Sequence, residues 1–389
     1  MKFKARSQIF ALLYLAISTI SSHACAWDSD TLEAEAKGIP DTIRVISGRF
    51  ERNPDLYYEM RLARVTKELG STPETLELYD DAGVACDRLH RGDEAIAWME
   101  KKRAQMERLR GVADAGVLRE HRYRTLANLG TFIAHRWLRN GADRTKISEM
   151  KRGRDFIAAA IELNPDAHFG REKYQLKAME WMISPPPKKK DSPTITSFID
   201  VGIPADLARD AVEGLSGLIV LGDAWQSADI FHALAIALQA DRQKTSVAYS
   251  SYLRCFELID AGAKSAVSTA STAELKKQIQ AGDYQVTSEN MPQKENLELQ
   301  FKELRAEADE WHAQRTAFMI ERLKVGRHPD TDETFWNEWQ EPAEPELYLS
   351  QEQAERDRMW QFLNIGAAVF GVLLVSFAAL KFARRKKAG

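Results

Sequence analysis

Between residues 40 and 262 no segment alternates apolar and polar residues over the length of a strand, whereas apolar residues recur at three- and four-residue spacing throughout. That spacing puts them on one face of a helix, and many such helices in series leave helix-on-helix packing as the way to build a core. The fold is therefore expected to be all-α. Helices are predicted near 41–51, 54–69, 73–90, 92–109, 116–139, 147–163, 166–182, 204–222, 224–238 and 242–261, with a shorter one at 272–281 and a long charged one from Gln293 to Lys324. Asn53–Pro54 and Asn164–Pro165 separate neighbouring helices, because proline lacks a donor and suits a first turn. Ser71–Thr72–Pro73–Glu74 reads as a cap followed by an N-terminal proline. Gly70, Gly92, Gly141 and Gly262 sit where helices are expected to end.

Small residues at fixed offsets add a second pattern. Tyr79, Ala82, Gly83, Cys86, Ala95 and Met99 form one set; Leu126, Leu129, Gly130, Ile133, Gly153, Ile157, Ala160 and Pro165 form another. A third reads Val212, Leu215, Ser216, Ile219, Ala228 and Ala235. These sets resemble the tetratricopeptide repeat (TPR) family, whose unit of about 34 residues is a helical hairpin with Gly or Ala where the two helices nearly touch. The resemblance covers about 40–265 and is irregular. The first unit lacks its closing proline, the second carries about 11 extra residues around 139–149 relative to the family period, and the third has His232 where an aromatic is usual. It implies a helix-hairpin solenoid, with an unrelated helical bundle as the plainer alternative.

The two ends constrain location. Residues 360–380 carry no charge and are followed by Lys381 and by Arg384–Arg385–Lys386–Lys387, a length and flank suited to a single transmembrane helix. Lys2, Lys4 and Arg6 precede an apolar stretch and Ala24–Cys25–Ala26, the three-part pattern of a signal peptide over 1–26. Both basic ends are then cytoplasmic, and 27–359 is expected in the periplasm on a bacterial inner membrane, because no Asn-x-Ser/Thr sequon occurs. The chain is formally −3; the leader holds +3 and the tail +5, which leaves −11 on 27–359 and argues against nucleic-acid binding. Cys86 and Cys255 both lie in helical patterns, so buried thiols are expected over a disulfide.

The expected layout is an N-terminal extension (27–39), TPR-like repeats (40–183), a Pro/Lys-rich solvated linker (184–203), further repeats (204–263) and a polar connector (264–291). Then come the long charged helix (292–326), an acidic aromatic loop (327–349), a juxtamembrane helix (350–359), the span (360–380) and a basic tail (381–389). Leu297, Phe301, Leu304, Ala308, Trp311 and Phe318 give the long helix a coiled-coil seam that Arg315 interrupts, so it serves either as a coiled coil or as a cap on the solenoid.

No residue pattern announces chemistry. None of the eight histidines makes a zinc motif, no nucleophile elbow or phosphate loop occurs, and neither a metal nor a cofactor is expected. His168 and Glu172 are read as a surface hydrogen bond, and Asp80–Asp81 as a solvated helix face. The TPR resemblance implies a ligand groove lined by Glu77, Asp80, Val84, Asp87 and Arg88, by Arg124, Ala127, Thr131, Ala134 and His135, and by Glu213, Gly217, Val220 and Leu221. The family's Lys/Asn carboxylate clamp is absent, since its places hold Asp80 and Val84, Ala127 and Thr131, Glu213 and Gly217. The groove is expected to prefer neutral or basic segments, with Arg88, Arg124 and His135 as exceptions; the plainer reading is that several of these residues only pack against the next repeat. The expectation is a membrane-anchored adaptor that binds another envelope protein. The alternatives are an exported helical-repeat enzyme acting on the cell wall, which needs a buried carboxylate in a deep cleft, and a C-terminal run that a processing protease removes.

Overall fold

The computed structural model describes residues 41–165, 171–186, 195–240, 245–282 and 294–343. Among them are twelve α-helices and no strand: α1 (Thr42–Ser47), α2 (Asp55–Leu69), α3 (Leu76–Arg88), α4 (Gly92–Arg108), α5 (Ala115–Arg139), α6 (Ile147–Leu163), α7 (Arg171–Ile183), α8 (Ala205–Val220), α9 (Ala228–Gln239), α10 (Thr245–Asp260), α11 (Thr272–Gly282) and α12 (Lys294–Lys324). The fold is all-α. The expected signal peptide at 1–26, the expected span at 360–380 and its flanking segments lie outside the described residues. Among the described residues no helix is long and apolar enough to cross a membrane.

Local chemistry accounts for most boundaries. Asp114 Oδ1 accepts from the amides of Gly116 (2.8 Å) and Val117 (3.0 Å) and so starts α5. Pro54 opens α2. Three expectations need correction. The first helix stops at Ser47, not 51, because Gly48 takes a left-handed φ of 89° and turns the chain. Ser71 and Thr72 do not cap α3; both hydroxyls donate to the Glu68 carbonyl at 3.0 Å and close α2, so α3 begins later, at Leu76. Gly92 opens α4 where a helix end was expected; the preceding turn belongs to His90 at φ 59°.

From α2 to α10 each helix packs mainly on its neighbours in the chain. The closest approach is between α5 and α6. A Cβ on Gly130 would lie 2.6 Å from the Ile157 side chain and 2.8 Å from the Gly153 carbonyl. Gly83 faces Met99 across α3 and α4 in the same way, with 2.7 Å to the Met99 methyl.

The first and last described helices fold back onto this row. α1 leaves α2 and packs on α8 and α10, where Val45, Ile46 and Phe50 join Leu215, Leu234 and Tyr252 in the largest core. α12 starts in that same core with Leu297 and Phe301, crosses α1, and ends against α2, where Met319 and Leu323 pack with Tyr57 and Phe335. Arg315, the interruption in the seam, stacks on Trp336 at 4.3 Å and pairs with Glu51 at 3.2 Å. Beyond α12, His328 stacks on Tyr57 (ring centroids 4.4 Å apart), and Asp330 forks onto Arg61 with oxygens 2.8 and 2.5 Å from Nε and Nη2. The hairpin row is thus bridged end to end.

The segment expected to be a solvated linker is partly docked, and the helix expected in the polar connector packs inward. Residues 187–194 of the Pro/Lys stretch lie outside the described set, but Ile199 is buried in the core and the Thr196 carbonyl accepts from the Trp181 indole at 2.8 Å. Within the polar connector, α11 buries Leu275 and Ile279. Cys86 and Cys255 are buried and form no disulfide.

Candidate functional site

Bridging the row leaves a central cavity of about 2400 Å³, well above the 300–1,000 Å³ usual for a small-molecule pocket. Its wall draws on the α1–α2 turn, the C-terminal ends of α3, α5 and α8, α7, α10, the 264–270 loop, α12 and the segment after it. The wall is mixed, with many charged side chains and five tryptophans set among apolar residues.

On one side, Asp87 is fully buried and ties α3 to α5. It contacts His135 Nδ1 at 2.8 Å and accepts from Arg139 at 2.7 Å. Arg139 continues to Asp223 (2.9 Å), which also pairs with Arg88 (3.0 Å), and Arg88 donates to the Leu221 carbonyl at 2.7 Å. Burial pushes the Asp87 carboxyl up, but His135, Arg139 and Arg88 outweigh it and hold it at about 2. Asp223, at φ 64°, is likewise held below the usual carboxylate range: burial opposes the shift, and Arg88 leads the charges that produce it.

On the other side, three guanidinium groups surround one indole. Arg254 lies 3.8 Å, Arg52 4.8 Å and Arg305 5.3 Å from the Trp225 ring. Gly48 makes room for this arrangement, since a Cβ there would come within 2.5 Å of Trp225. Glu257 bridges Arg254 (3.0 Å) and Arg305 (3.1 Å), and Asp309 takes the other end of Arg305 at 3.0 Å. Burial, with Arg305 and Arg254 close by, lowers Arg52 to about 10. Burial also lowers His312, assisted by Arg52 and Arg315, to about 4.

Of the groove residues carried over from the resemblance, the cavity brings together Arg88, Ala134, His135, Val220 and Leu221. Asp80, Val84, Asp87, Ala127, Thr131 and Gly217 are buried between helices. Thr131 accepts from Gln175 at 3.0 Å, and Gly217 lies under the Arg171 side chain. Glu77 pairs with His121 at 3.2 Å, half-buried Arg124 pairs with Glu120 at 3.0 Å, and Glu213 is exposed; none of the three lines the cavity. The Asp80–Asp81 face is not solvated. Asp80 and Asp81 are 2% and 4% exposed, and Asp80 accepts from Lys102 at 2.5 Å and Asn128 at 3.1 Å. The arginines around Trp225 escaped sequence reasoning, because they come from three separate stretches of chain. The one visible signal was Arg315, the charge misplaced in an apolar seam. Nor does the wall look selective for basic segments. Ten Arg and Lys side chains line it against eight Asp and Glu.

The described residues contain no cluster of three or more His, Cys, Asp or Glu placed to hold a metal ion. Compared with known proteins, the chain matches no family model, no curated protein and no solved structure. The tetratricopeptide resemblance therefore rests on the residues quoted for it alone.

Proposed function

We propose that the chain is a membrane-anchored adaptor of TPR-like form, tethered by 360–380, whose helical body outside the cytoplasm receives a segment of another envelope protein in its cavity. In this reading the row α2–α10 is a short solenoid of hairpins and α12 is its cap. The observation that carries the proposal is the bridging of the row by α1 and α12, which turns one face of the hairpins into a large, partly open cavity with charged and aromatic side chains in its wall. Cavity carboxylates such as Asp223 and Glu257 are held by arginines. Groups so engaged suit recognition better than proton transfer, which needs a carboxyl with its pKa raised toward neutrality.

The direct test is a photo-crosslinking residue at Leu138, which lines the cavity and is 37% exposed. Irradiating cells that carry the full-length protein should yield one discrete protein adduct. A folded, membrane-bound variant that yields none would count against an adaptor. Release of the protein by alkaline carbonate would remove the anchor.

One observation favours a second reading, a cell-wall hydrolase. Asp229 lines the cavity, and burial pushes its carboxyl up although it accepts from the Ala266 amide at 2.8 Å. That reading predicts turnover of peptidoglycan that Asp229→Asn abolishes; the adaptor reading predicts no turnover by either form.

A further inference from the structure

Arg52 differs from the guanidinium groups around it. Arg254 and Arg305 share Glu257, Arg305 also holds Asp309, and Arg315 holds Glu51. Arg52 donates to the Gly48 carbonyl at 3.1 Å and lies 4.8 Å from the Phe50 ring and 4.8 Å from the Trp225 ring. Among the described residues it makes no ion pair. Of these four guanidinium groups Arg52 is the one without a carboxylate at ion-pair distance; Asp309 acts on it only from further away. Taking a charge out of water without a counter-charge is costly, so this position gains most from an anion. A fork of N–H donors matches a carboxylate in two parallel bonds. A dianionic phosphate would meet stronger repulsion than a carboxylate from Glu51, Glu257 and Asp309, which line the same end of the cavity. The ring faces of Phe50 and Trp225 beside Arg52 suit an apolar group next to that carboxylate.

We propose that Arg52 is the anchor of a carboxylate-binding subsite in the cavity, and that the segment received there presents one carboxylate next to an apolar or aromatic group. The proposal rests on the adaptor reading for the identity of its partner, but the subsite is testable without one. The depressed pKa of Arg52 has the same origin as the subsite, burial beside Arg305 and Arg254.

The probe is phenylacetate, titrated calorimetrically into the full-length protein in detergent, with phenylacetamide and inorganic phosphate as controls. Saturable binding of phenylacetate is expected, with phosphate at least tenfold weaker and no binding of the amide. Arg52→Gln should weaken phenylacetate tenfold or more while its melting temperature, without probe, does not fall. Arg52→Lys keeps the charge and loses the fork, so a several-fold weakening is expected; it decides the matter should the glutamine variant not fold. Equal binding of the amide, tighter binding of phosphate, or unchanged affinity in the Arg52 variants would overturn the subsite. Phenylacetate should also reduce the Leu138 crosslink. If a partner is captured and neither phenylacetate nor Arg52→Gln affects capture, the subsite falls and the adaptor stands. If phenylacetate binds through Arg52 and no partner is captured, the adaptor falls and the subsite stands.

Discussion

Asp330 and Arg61 are 269 positions apart in the chain, yet they form a two-pronged ion pair in which Arg61 is 1% exposed. Arg64 reaches the same carboxylate at 2.5 Å. Burial raises the Asp330 carboxyl, and the bonds from Arg61 more than reverse this, bringing it to about 2. Removing one partner of a buried pair leaves the other charge uncompensated, at a cost of about 3–5 kcal/mol. Asp330→Ala should therefore lower stability by that order in chemical denaturation. Small-angle scattering should show a larger radius of gyration, because the pair fastens the end of α12 to α2. An unchanged radius would mean that the apolar contacts of Met319, Leu323 and Phe335 suffice.

Lys102 and Asp80 form a second buried pair, with Lys102 fully covered. Burial lowers the lysine and raises the aspartate, so each is pulled toward its neutral form, and the partner leads the charges that resist. Lys102→Met should destabilise by about 3–5 kcal/mol, whereas Lys102→Met with Asp80→Asn should recover much of that loss. A double variant as unstable as the single one would show that Asp80 is held by Asn128 alone.

At the α5–α6 crossing the backbones meet without side chains between them. Gly130→Ala would place a methyl group 2.8 Å from the Gly153 carbonyl, and the Ile157 side chain leaves no room beside it. Overpacking of this kind costs about 1–3 kcal/mol. The expected readout is a lower denaturation midpoint with an unchanged slope.

Acid sensitivity should appear in two windows. His312 has its ordinary value of 6.5 when unfolded and about 4 in the fold, through burial first and then Arg52 and Arg315, with Asp309 opposing. The unfolded chain then binds the proton more readily, so stability present above pH 6.5 declines as pH falls toward 4. Asp87 and Asp330, with ordinary values of 3.8 lowered to about 2, add a second loss between those limits. His312→Gln should shrink the first window, which is shared with His328, also lowered by burial, and leave the second. A full-sized loss between pH 6.5 and 4 in that variant would assign the effect elsewhere.

The Cys86 thiol is pushed up to about 12, chiefly by burial. It should resist a thiol reagent at pH 8 in native protein and react fully in denaturant. Rapid native labelling would mean that α3 opens locally.

Helix positions were legible because periodicity and caps are local. The α6 pattern at 147–163 coincides with Ile147–Leu163, and the α5 pattern misses by one residue at its start. The Gly130–Gly153 approach was readable too, since small residues at hairpin offsets have few other uses. What could not be read is non-local. Nothing in residues 41–52 announces that α1 lies on α8 and α10, and nothing in Arg52, Arg254 or Arg305 announces that they share one indole. Asp80 and Asp81 looked solvated because a carboxylate buried against a distant lysine has the same local pattern as one in water.

Helix α12 has 31 residues, a rod of about 46 Å at 1.5 Å per residue. Open arrays of hairpins lengthen or shorten by whole units with little penalty. Here the rod reaches from α10 to α2, so its length is tied to the separation of those helices, and a longer or shorter row between them would strand one of its ends. The architecture has a set size, and evolution can vary the lining of its interior more freely than its circumference.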